Sequence, residues 1–139
     1  MSIAKEILNV NKENKTMDEK AEKIAGIVER TKKIQELNDA MRSNLGKELP
    51  NNKFVLSHDM SDLSPDILQK VFKVVETYRN FHEDNDPYGE HDFGHFQVEG
   101  KDMYWKIDYY DHDMKHGSQD PTDEEITVRV LTIMFAHEY

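Results

Sequence analysis

The chain has 139 residues, 37% hydrophobic and 33% charged, with no cysteine and a formal charge of −10. This length fits one domain, with enough apolar residues for a modest core. The missing cysteines exclude disulfides and thiolate chemistry. No apolar run approaches the roughly 18 residues that would span a bilayer. The start, MSIAKEILNVNKENK, is too polar to read as a signal peptide, so a cytoplasmic protein is the expectation. Residues 1–50 carry 10 Lys+Arg and 9 Asp+Glu, whereas residues 51–139 carry 8 and 19. An acidic domain repels a phosphate backbone, which argues against direct nucleic-acid binding and for a basic protein partner.

In chain order, residues 16–45 read as a long helix. Thr16 and Glu19 have capping-box spacing. Ile24, Ile27, Thr31, Ile34, Asn38, Met41 and Leu45 follow at alternating steps of three and four. That pattern is either a homodimer seam with polar Thr31 and Asn38, or the inner face of a helix lying on its own domain. Gly46 suits a helix stop. KFVLS (53–57) reads as a short strand. Ser64 and Pro65 open a second helix whose buried stripe is Ile67, Leu68, Val71, Phe72, Val75 and Tyr78.

Next comes DNDPYGEHDFGH, residues 84–95, with four carboxylates (Asp84, Asp86, Glu90, Asp92) and two histidines (His91, His95). HFQV and MYWKIDYY then form a hairpin about EGKD. A type II′ turn at Gly100-Lys101 pairs Phe96 with Trp105, Val98 with Met103 and His95 with Lys106. His95, Gln97, Tyr104, Lys106, Asp108 and Tyr110 share the polar face. In the tail, Thr122 and Glu125 have capping-box spacing, yet Ile126, Thr127, Val128 and Val130 favour a strand. The reading adopted for 126–137 is a helix. The expected fold is α+β: a small antiparallel sheet containing the hairpin, packed with two or three helices. Residues 1–50 form a helical arm and residues 51–139 an acidic domain.

QELNDAMR, NDPYGEHDFG, WKIDYYD, Asp120-Pro121 and RVLTIMFAHEY together resemble a small proteobacterial family of unknown function. That family is carried on phages, plasmids and other mobile elements, and the similarity covers roughly residues 34–139. The resemblance supplies no catalytic residues. It implies a setting among accessory genes of mobile DNA, where small acidic proteins often counter host defences.

The 84–95 stretch fails as a calcium loop. Asp84, Asp86 and Gly89 fit positions 1, 3 and 6, but His95 falls where a bidentate Glu belongs. The Asp92-Phe93-Gly94 triplet lacks every other kinase motif. Glu99 and Lys101 spell part of a nuclease signature, but within a hairpin turn. Turn chemistry explains Asp86-Pro87-Tyr88-Gly89 directly. Lys106 and Arg129 are available to pair with the acids.

The leading expectation is therefore a non-enzymatic, protein-binding inhibitor from a phage or mobile element. Asp84, Asp86, Tyr88, Glu90, Asp92, Asp108, Tyr110, Asp111 and Asp113 would face a basic, nucleic-acid-binding host defence complex. No cofactor or resident metal is expected, and no membrane contact. The alternative is a metal-dependent hydrolase or nuclease using His91, Asp92 and His95.

Overall fold

The structure is a computed structural model describing residues 3–139, with side chains described from residue 16 on. Helix α1 spans Ile3–Ser43 and Gly46 follows it with a φ of 82°. Strand β1 (Asn52–Leu56) comes next, then a 3-10 turn at Met60–Asp62 and helix α2 (Pro65–Glu76). The sheet is completed by β2 (Phe93–Val98), β3 (Lys101–Tyr110) and β4 (Val128–Phe135), before a last 3-10 turn at Ala136–Glu138. The fold is α+β.

The strand order is β1-β4-β3-β2. β2–β3 and β3–β4 are antiparallel, but β1 runs parallel to β4, so the sheet is mixed and not wholly antiparallel as expected. Both helices cover one sheet face. Met41 of α1 and Val71 and Val75 of α2 share a core with Phe96, Met103, Trp105, Ile107, Leu131 and Ile133. α2 starts as its residues dictate, with Ser64 Oγ accepting from Ile67 N at 3.4 Å and Pro65 in the first turn.

Three local expectations are corrected. α1 begins at Ile3, so Thr16 lies inside the helix and does not start it. Residues 128–135 are strand, not helix. β4 lies between β1 and β3 and every residue of it except Thr132 is buried, which favours its β-branched residues and hides the period of two. Thr122 caps nothing; its hydroxyl donates to Asp120 Oδ1 at 2.7 Å in the turn that leads to β4.

The hairpin slips by two residues from the expected register. Phe96 pairs with Met103, His95 with Tyr104 and Gly94 with Trp105. Glu99 (φ 53°) and Gly100 (φ 73°) are both left-handed, as a type I′ turn requires. A slip of two leaves every side chain on its expected face.

The expected 24–45 seam is divided. Ile34, Asn38 and Met41 are buried in the body, while Ile24 and Ile27 stand in solvent.

Candidate functional site

The loop between α2 and β2 is built from its own polar side chains. Asn85 Oδ1 accepts from His82 N at 2.9 Å, and Asn85 Nδ2 donates to Asn80 O at 2.8 Å. Asp86 turns inward: its side chain is 4% exposed and accepts from His91 N at 3.1 Å. His91 is left-handed (φ 56°), a strained state for a non-glycine residue. The Asp86 carboxylate helps hold it there. Asp86 was expected on the binding surface; it anchors the loop instead.

Helix α1 clamps this loop from the other side. Gln35 Nε2 donates to Gly89 O at 3.0 Å, and Asn38 Nδ2 donates to Glu90 O at 3.1 Å. Asn38 Nδ2 also donates to Tyr109 Oη at 2.7 Å, and its Oδ1 accepts from Arg129 Nε at 2.9 Å. Asn38 is 0% exposed, so one amide side chain joins α1, the loop, β3 and β4. Arg129 was expected to pair with an acid. It has no carboxylate within 4 Å among the described residues, and it donates to Asn38 and to Pro121 O. Burial pulls its pKa below the usual guanidinium value, and burial pushes the Tyr109 hydroxyl up.

His91 lies within this clamp. Its ring stacks on Phe81 at 3.8 Å between centroids, and Nδ1 lies 2.8 Å from Asp39 Oδ1. Gln35 Nε2 is 3.0 Å from its Nε2. The ring thus has a carboxylate partner at one nitrogen and an amide partner at the other. Arg42 donates to Val75 O and Tyr78 O, pairs with Asp39 at 2.7 Å and lies 4.9 Å from the Trp105 ring. A cleft of about 550 Å³ opens beside Asp39, Arg42, Arg79 and His91.

His95 points elsewhere, on the uncovered sheet face, with Nε2 3.0 Å from Asp102 Oδ1. The two histidines thus face different carboxylates. Among the described residues, the groups close enough to share an ion are His58, Asp59, Asp62 and Asp59, His137, Glu138, all outside the EHDFGH segment. Sequence reasoning missed this cluster because 78 positions separate Asp59 from His137. It also missed the roles of Gln35, Asp39 and Arg42, although all three lie in the literal QELNDAMR motif.

The remaining acids differ in how closely they are paired; Asp84, at 4.0 Å from His82 Nδ1, is held most loosely. Asp108 pairs with Lys106 at 2.9 Å, and Asp113 with His116 at 2.7 Å and with two backbone N–H groups. The Asp84 side chain is 99% exposed and Tyr88 is 78% exposed. Glu90, Asp92, Tyr110 and Asp111 are half-buried around them in sequence. Asp92 has its pKa pushed up to about 6, first by burial and then by Glu90, Asp86 and Asp108. Burial is the larger cause of that shift, and the neighbouring carboxylates add to it.

No curated protein and no solved structure matches the chain. A family described as "Protein of unknown function (DUF3768)" matches residues 56–138, more than half of the chain. That span holds the acidic loop, the hairpin and β4, and the chain belongs to this family.

Proposed function

We propose that this chain is a non-enzymatic binding module that presents an acidic surface to a basic, nucleic-acid-handling protein. The observation that carries this reading is a turn whose ends are locked and whose tip is free. Asp86, Asn85 and the Asn38 and Gln35 clamps hold the backbone, while Asp84 and Tyr88 reach into solvent. A rigid tip loses little conformational freedom on binding. Glu90, Asp92, Asp108 and Asp111 extend the negative field beside it, and Tyr88 and Tyr110 offer the aromatic contacts that anchor interfaces. Asp108 and Asp113, already paired, contribute less than Asp84. His91 and its neighbours are engaged with one another, which favours a structural role for them over acid–base chemistry. The mobile-element setting implied by the sequence motifs makes a host defence complex the partner class to test first.

The test is capture from nuclease-treated bacterial extract on immobilised protein, with Asp84→Lys/Glu90→Lys and Tyr88→Ala variants alongside. The expected result is a basic nucleic-acid-binding protein that elutes with rising salt and is displaced by a competing polyanion. Equal capture by wild type and both variants would refute the reading.

A further inference from the structure

We propose that a cleft beside Arg129 binds a small carboxylic acid with an apolar body, its carboxylate held by Arg129 and Asn52. The cleft has a volume of about 360 Å³, a size that suits a small molecule. Leu37 and Met41 of α1, with Leu49 and Pro50, supply its apolar walls. None of its lining residues belongs to the acidic loop, so this site stands apart from the binding surface proposed above.

Arg129 brings to the cleft a charge that the fold does not pair. The residue is 3% exposed, and a buried guanidinium is costly unless a counter-charge is supplied. Burial outweighs the through-space pull of Tyr109, Glu124 and Glu90 on its pKa. Nε and Nη2 are spent on Asn38 and Pro121, neither of which lines the cleft. Nη1 makes no hydrogen bond among the described residues. Nor is it sealed in: the fully buried side-chain atoms without a partner among the described residues are Arg42 Nε and Trp105 Nε1. Nη1 is the donor left to the cleft.

β1 sets a second donor beside it. Asn52 and Arg129 are direct partners across the parallel β1–β4 pair. Both side chains therefore leave the same sheet face, from strands about 4.8 Å apart. Asn52 is half-buried, lines the cleft, and makes no side-chain hydrogen bond among the described residues. A carboxylate has two acceptor oxygens, and two neighbouring donors can take one each. This wall is fixed from behind. Arg129 N donates to Asn51 O at 2.8 Å, and Asn51 Nδ2 donates to Glu124 O at 3.0 Å. Glu124 and Glu125 also line the cleft, but both are exposed, where water and salt screen them, while Arg129 lies inside.

The experiment is a heteronuclear NMR titration of the full chain with isovalerate and with phenylacetate, against isovaleramide and phenylacetamide as neutral controls. The Asn52 side-chain amide and Arg129 Nε–H signals should move with an acid added to about 10 mM, the range expected for ligands this small. The matching amide should bind at least about tenfold more weakly, since it lacks the charge that Arg129 pairs with. Ala40→Phe fills the cleft from an exposed helix position and leaves Arg129 in place. It should abolish the shifts without changing the Trp105 unfolding transition. No shift with either acid, equal responses to acid and amide, or shifts that persist in Ala40→Phe would overturn the site.

Discussion

Replacing Asn38 with alanine tests whether the motif residues of α1, the loop, β3 and β4 form one stabilising network. Asn38 makes three hydrogen bonds, to Glu90 O, Tyr109 Oη and Arg129 Nε, at 3.1, 2.7 and 2.9 Å. Each bond is worth about 1 kcal/mol net, and a buried donor left unpaired costs about 1–3 kcal/mol more. Arg129 is 3% exposed, so its Nε would lose its partner without water at hand. The summed loss is about 4–6 kcal/mol, a large part of a typical domain stability of roughly 5–15 kcal/mol. The midpoint of thermal unfolding should fall by about 10–20 °C. The chain's one tryptophan, Trp105, is fully buried and reports the transition by fluorescence in a urea titration. Adding Arg129→Met to Asn38→Ala should cost less than the two changes summed, because the orphaned charge leaves with its partner. A loss under about 0.5 kcal/mol for Asn38→Ala, within the range of ordinary surface substitutions, would refute the network.

Other outcomes follow from the same geometry. Gly94→Ala should destabilise strongly, because an added Cβ would come within 2.3 Å of Trp105 Nε1 and 2.6 Å of Tyr78 Cζ. His91→Ala should lower the urea midpoint through lost stacking on Phe81 and a lost Asp39 contact, while His95→Ala on the open face leaves it unchanged. Asp92 is a carboxyl whose folded pKa is raised to about 6, so its stabilising share is present below its unfolded pKa and is lost as pH rises through 6. Asp92→Asn should therefore stabilise by about 1–2 kcal/mol at pH 7 to 8, allowing for solvent screening, and by nothing near pH 4. Equal effects at both pH values would contradict that origin.

Elements marked by local chemistry were legible in the sequence. Ser64-Pro65 placed α2, and alternation in the hairpin placed its core face correctly even with the register wrong, since a slip of two preserves facing. β4 was hidden because a strand buried on both faces loses its alternation, and because Thr122 and Glu125 imitate a helix start. The acidic loop was visible as a turn. The inward rotation of Asp86 was not, because it depends on the left-handed backbone at His91. Asn38 read as a polar residue either in a dimer seam or on the inner face of a helix lying on its own domain, and the second holds; its partner Arg129 lies 91 positions away, beyond any periodic signal.

The most direct measurement of the proposed function is affinity for the captured basic partner as a function of salt, for wild type and for Asp84→Lys/Glu90→Lys. Wild-type binding should weaken steadily as salt rises. The charge-reversed chain should bind at least about tenfold more weakly at low salt, with a flatter salt dependence and an unchanged unfolding midpoint. Identical affinities and salt slopes for the two proteins would contradict an acidic recognition surface at this loop.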